Sequence, residues 1–108
     1  MSKYSNFVIY KIYPLDDPTM CYIGSTTCFS RRKSQHKKSV SNKVSRKYYQ
    51  PLYQYIRLLG GWDKMNMEIV EQYDCKTKEE GLIREKELIA QYKSKLNINN
   101  PIKNDLKK

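Results

Sequence analysis

Two short apolar and aromatic segments separated by a turn limit the fold of this chain more than any other feature. Phe7 to Tyr13 is rich in β-branched and aromatic residues and predicts a strand. Pro14 to Pro18, with Asp16 and Asp17, predicts a turn. Met20 to Gly24 predicts a second strand, antiparallel to the first. Gly24 to Thr27 leaves that strand, and Ser30 is placed to cap a helix running to about Val40. This helix is almost all polar and basic, so one whole face should be exposed. Ser39 to Tyr49 reads as a basic, serine-containing loop, and Pro51 suits the first turn of a second helix. Leu52, Tyr55, Ile56 and Leu59 then recur at helical spacing, and Gly60 and Gly61 end the run. Asn66 to Tyr73 alternates as a third strand. Thr77 and Glu80 form a capping box for a third helix that reaches about Tyr92. From Leu96 onward Asn97, Asn99, Asn100 and Pro101 read as loop. The expected class is α+β, sandwich-like: a small three-stranded, mainly antiparallel sheet flanked by about three helices.

At 108 residues the chain supports one domain with a modest core. That domain is expected to span 1–108, with its core at about 7–102 and a basic tail at 103–108. No run of apolar residues is long enough for a membrane span or a signal peptide, so an intracellular protein is expected, in cytoplasm or nucleus. Cys21, Cys28 and Cys75 form no Cys-x-x-Cys pair, which argues against a disulfide framework or a zinc site.

Charge points to the partner. The formal net charge is +10, and no acidic residue lies between Asp17 and Asp63. That stretch carries Arg31, Arg32, Lys33, Lys37, Lys38, Lys43, Arg46, Lys47 and Arg57. A one-sign field of this length attracts polyanions, and nucleic acid gains most because neutralised phosphates release counterions. A solvated basic face or contact with an anionic membrane surface is the competing reading. No amphipathic basic helix with a broad apolar face supports the membrane.

Four side chains in the first third carry usable chemistry. Tyr10 and Tyr22 lie in Val8-Ile9-Tyr10 and Tyr22-Ile23-Gly24, and Arg32 and His36 follow one helical turn apart. Two phenols, a guanidinium and an imidazole could take a proton, hold a phosphate and stabilise a leaving oxyanion. A metal ligand must come from elsewhere. On a helical wheel Leu82, Ile89 and Tyr92 share one face, and Glu85 projects from the middle of it. A carboxylate aimed at a core is costly unless paired or metal-bound. A buried salt bridge with an arginine and a divalent-metal ligand are the two readings, and a lone carboxylate with open water positions suits Mg²⁺.

Together these residues resemble the GIY-YIG nuclease superfamily. Val8-Ile9-Tyr10 is similar to its first motif, with Val8 where the family has glycine, and Tyr22-Ile23-Gly24 matches the second. Arg32 and His36 match the arginine and histidine of the following helix, Glu85 the metal-binding glutamate, and Asn97 the closing asparagine. Cys21 to Thr26, Arg31 to His36 and Gly60 to Asp63 look like stand-alone members encoded by large DNA viruses. The resemblance implies a metal-dependent endonuclease that hydrolyses DNA phosphodiester bonds with one Mg²⁺ or Mn²⁺ held by Glu85. Tyr10 or Tyr22 would take a proton from water, its pKa lowered by a cation such as Arg32 or Lys11. Arg32 would bind the scissile phosphate, His36 would relay a proton or bind phosphate, and Asn97 would orient a catalytic group.

Arg31, Lys33, Lys37, Lys38, Lys43, Arg46 and Lys47 are expected as DNA contacts without a catalytic part. Trp62 reads as a packing anchor for its turn. A monomer is expected, with a transient dimer for two-strand cutting. The alternatives are a non-catalytic DNA-binding module and an accessory subunit of a larger complex.

Overall fold

The computed structural model describes residues 6–98. Three strands, β1 (Val8–Pro14), β2 (Tyr22–Thr26) and β3 (Met65–Gln72), form one sheet in the order β2-β1-β3. Both pairings are antiparallel. Helices α1 (Phe29–Ser41) and α2 (Pro51–Leu58) lie between β2 and β3 in sequence, followed by a single 3₁₀ turn at Trp62–Lys64. Helix α3 (Lys78–Tyr92) and a short α4 (Lys95–Ile98) complete the described chain. This is the expected α+β architecture.

The two faces of the sheet carry separate cores because side chains alternate along a strand. On one face Tyr10, Ile12, Met65 and Met67 pack with Val40, Tyr53 and Ile56 from α1 and α2. On the other, Phe7, Ile9, Cys21 and Ile23 pack with Cys75 and with Leu88 of α3. Lys11 points to this second face, where it pairs with Glu68 at 3.3 Å and lies over the Tyr92 ring. Val8 sits buried in the central strand opposite Thr26 and Gln72; the pairing with β2 is regular, and that with β3 shifts register between Ile9 and Tyr10.

Several expected boundaries and faces differ. β2 begins two residues later than Met20, because Asp17 accepts from both the backbone N–H and the hydroxyl of Thr19 and prolongs the turn. Cys28, not Ser30, occupies the N-cap of α1; the Thr26 hydroxyl oxygen accepts from the Cys28 N–H at 3.1 Å and closes the entry turn early. Helix α2 buries Tyr53 and Ile56, while Tyr55 is half-buried and Leu59 lies exposed beyond the helix. Its face is turned by a hydrogen bond between Tyr53 and α1. Gly60 and Gly61 follow with φ of 116° and 108°, values that favour glycine. The segment after Leu96 is helical, not loop, through Ile98.

The largest correction concerns α3. Its capping box at Thr77 and Glu80 is present. Its buried residues, however, are Gly81 and Leu88, whereas Leu82 and Tyr92 are 39% and 38% exposed. The cause is Gly81: a methyl group there would stand 2.5 Å from the Phe7 ring. The helix is seated by its smallest residue, so Leu82 and Tyr92 turn outward while Ile89 stays half-buried against the core. Arg84 fixes that orientation with a two-pronged contact to Glu71 of β3, at 2.6 and 2.7 Å. Glu85 therefore stands half-buried at the margin of α3, not in the middle of a core-facing stripe.

Candidate active site

Tyr10 projects from the central strand toward α1 and is 1% exposed. Gly24 lies directly across the ladder from it. A methyl group at Gly24 would meet the Tyr10 hydroxyl oxygen at 2.5 Å, so the phenol occupies the space that a glycine leaves. Its hydroxyl bonds to His36 Nε2 at 2.8 Å, and the other ring nitrogen, Nδ1, bonds to the Tyr53 hydroxyl at 2.7 Å. The imidazole is also stacked on Trp62, with 12° between the planes. Trp62 is thus a wall of the histidine pocket as well as a packing residue of its turn.

His36 is buried, against the expectation of a fully exposed basic face on α1. Burial first, then Arg32 and Lys47, lowers its pKa to about 4, so the ring is neutral at pH 7. Tyr10 moves the opposite way. Burial and the neighbouring Tyr22 raise its pKa, and Arg32 only partly offsets them. Tyr22 is likewise raised, by burial and then by Glu85, again against a lowering by Arg32. Neither phenol is activated as a standing phenolate. The expected lowering by Arg32 is present but outweighed by desolvation, and Lys11 lies on the opposite face of the sheet.

Arg32, half-buried on α1, thus acts electrostatically on both phenols. Glu85 approaches from the other side of the sheet, where its Oε1 accepts the hydroxyl of Ser25. Tyr22 feels both groups. It lies on the edge strand, where the layer holding Arg32 and the layer holding Glu85 meet.

Asn97 braces this strand. Its Oδ1 accepts from the Ile23 N–H at 2.6 Å, and its Nδ2 donates to the Ile23 carbonyl at 2.8 Å. The Ser94 hydroxyl donates to the same Oδ1 at 2.7 Å, and the Leu96 N–H reaches the Cys21 carbonyl at 3.2 Å. A side-chain amide here takes the place of a neighbouring peptide unit and covers an otherwise open edge. Asn99, Asn100 and the tail at 103–108 lie outside the described residues. Beside Asn97, a cleft of about 400 Å³ is bounded by Tyr22, Pro51, Leu52, Tyr53 and Leu96.

The residues expected at the DNA face are spread along α1 and the turns after it. Arg31, Lys33, Lys37, Lys38, Lys43, Arg46 and Lys47 are all exposed. Among the described residues none of them forms an ion pair. No helix among the described residues is long and apolar enough to cross a membrane.

Tyr53 and Ser25 went unnoticed in the sequence. Tyr53 is one of ten tyrosines and has no motif to mark it. Ser25 directly follows Tyr22-Ile23-Gly24, and strand alternation would have pointed it away from Tyr22, toward the third helix.

The family model of the GIY-YIG catalytic domain matches residues 6–99. That span takes in all three strands, α1, α2, α3 and α4, and the chain belongs to the GIY-YIG family, whose catalytic domain is of nuclease type. Neither the curated proteins nor the solved structures give a match.

The donor set fits a single hydrated divalent cation. Among the described residues no lysine or arginine pairs with Glu85, and no group of three or more His, Cys, Asp or Glu side chains gathers. One carboxylate, with one oxygen steadied by Ser25, suits Mg²⁺ or Mn²⁺ completed by water and phosphate oxygens. The alternative of a salt bridge between Glu85 and an arginine is not realised; Arg84 turns to Glu71 and Glu87.

Proposed function

We propose that this protein is an endonuclease that hydrolyses phosphodiester bonds of DNA with one Mg²⁺ or Mn²⁺ at Glu85. One observation carries the reading: the Tyr22 phenol lies within the fields of both a cation able to hold phosphate, Arg32, and a carboxylate without a basic partner, Glu85, the latter bonded to Ser25 three residues along the same strand. A protein that only bound DNA would have no use for an unpaired carboxylate beside its phosphate site. The bound cation would supply Lewis-acid stabilisation of the leaving oxygen.

The chain's own residues divide the remaining work. Arg32 holds the scissile phosphate and offsets the charge that builds on it. Tyr10 accepts a proton from the attacking water. Its own proton passes to His36 Nε2, so the phenol works by transfer and not as a pre-formed phenolate. The water's O–H bond and the original Tyr10 O–H bond break, and a new Tyr10 O–H bond and an Nε2–H bond form. Tyr22, less deeply buried than Tyr10, orients water and phosphate. Asn97 keeps Tyr22 and Gly24 in place through the backbone of Ile23. Arg31, Lys33, Lys37, Lys38, Lys43, Arg46 and Lys47 contact flanking phosphates. One such site per chain fits a monomer that nicks one strand at a time.

Cleavage of plasmid, branched and single-stranded DNA with Mg²⁺ or Mn²⁺ tests this, with Glu85→Ala in parallel. Cutting is expected for the wild type alone, with DNA binding retained by the variant and weakening steeply as salt rises. Cutting by Glu85→Ala would remove the carboxylate from the mechanism. Salt-sensitive binding without cutting in any divalent metal would make the protein a DNA-binding module.

A further inference from the structure

Two clefts share helix α1, and their linings differ in kind. One, of about 320 Å³, presents Lys38, Arg46 and Lys47 among neutral polar groups, with neither an acid nor an aromatic ring. That lining suits a phosphate. The other, of about 520 Å³, brings together Lys37, Ser41, Tyr48, Arg57, Trp62 and Asp63. Its walls are fixed. Arg57 Nη1 donates to the Val40 carbonyl at 2.9 Å and Nη2 to the Tyr48 carbonyl at 2.6 Å, and the guanidinium lies 3.7 Å above the Tyr48 ring. Trp62 stands parallel to His36, with 12° between the planes. Among the described residues Lys37, Arg57 and Asp63 form no ion pair, so their charges are free for a ligand.

The carboxylate of Asp63 decides which ligand. It repels a phosphate but accepts from the N–H groups of a nucleobase. Lys37 can donate to the base's ring nitrogens and carbonyl oxygens, while Tyr48 and Trp62 offer aromatic surface for its face. The volume is that of a small-molecule site. A base inside a duplex has both faces stacked and its pairing edge used, so only an unpaired base can enter. We propose that this cleft receives one unpaired base of the DNA while the strand's phosphates run along the basic side of α1. The inference rests on DNA as the substrate and names its class: DNA carrying an unpaired nucleotide, in preference to a fully paired duplex. Trp62 is also a wall of the His36 pocket, so that nucleotide lies close to the bond to be cut.

Binding without divalent metal tests the cleft apart from any cutting. The probes are a duplex with one unpaired nucleotide and the same duplex with an abasic residue in its place, which keeps the backbone charge and removes the base. The wild type should bind the first at least about fivefold more tightly. Trp62 is the only tryptophan, so its emission should be quenched as that DNA saturates the protein. Trp62→Leu should abolish the preference. Ser41→Leu, at an exposed position of α1, should fill the cleft and abolish it too, with affinity for the abasic DNA kept. Equal affinity for the two DNAs, unchanged emission at saturation, or a preference that survives in folded Ser41→Leu would each overturn the proposal. Cutting of paired duplex without any such preference would leave the nuclease reading standing and the cleft refuted. A preference without cutting in Mg²⁺ or Mn²⁺ would do the reverse.

Discussion

Gly24 and Tyr10 show how one position can depend on the absence of an atom. The phenol fills the space over Gly24, and a methyl group there would collide with a ring held by His36 and packed on both sides. Gly24→Ala should lower stability by about 2 kcal/mol, the usual range for overpacking a tight site, measured by urea unfolding. An unchanged midpoint would mean that Tyr10 has room to swing aside. His36 makes a second demand. Its folded pKa of about 4 lies below the ordinary value near 6.5. Between those values the unfolded chain binds the extra proton. The stability tied to the neutral ring is therefore complete above about pH 6.5 and is lost as pH falls toward 4. Comparing urea midpoints of the wild type and His36→Gln at pH 7 and pH 4 should expose an excess loss of roughly 3 kcal/mol in the wild type. Equal losses in the two proteins would mean that the ring is not desolvated.

At the scale of elements, the strands and helices were legible because their signals are local. β-Branched and aromatic residues mark β1, alternation marks β3, Pro51 opens α2, and Thr77 with Glu80 opens α3. The packing of those elements was not legible. The wheel that put Glu85 in the middle of an apolar face fails because α3 docks by Gly81 against Phe7, and a close approach of that kind leaves no periodic trace. Tyr53 stayed hidden because its partner, His36, lies on another helix. Asn97 had a motif position and an expected orienting role, but nothing local marked its partner, the backbone of Ile23 on the edge of β2. Asn97→Ala removes the partner of the Ile23 N–H and carbonyl and of the Ser94 hydroxyl. It should cost about 2 kcal/mol and speed hydrogen exchange at the Ile23 amide, while exchange in β3 changes less. An Ile23 amide as slow as in the wild type would show that the brace is dispensable.

Across the whole molecule, the site draws its parts from different distances along the chain. The β1–β2 ladder joins residues as close in sequence as Ile12 and Tyr22. The contacts of Glu85 with Ser25 and of Asn97 with Ile23 span 60 and 74 residues. Closing the longest of these loops costs roughly 2 kcal/mol more chain entropy than closing the hairpin, and such contacts tend to form late. Pulse-labelled hydrogen exchange during refolding should protect the β1–β2 ladder amides before the Ile23 amide, which waits for Asn97. Simultaneous protection would place the brace in the folding nucleus. In the expected order, Tyr10, Tyr22 and the basic α1 are gathered while the carboxylate is still on an undocked helix. On the proposed nuclease reading, a half-folded chain would cling to DNA without cutting it, and the last step of folding would also arm the site.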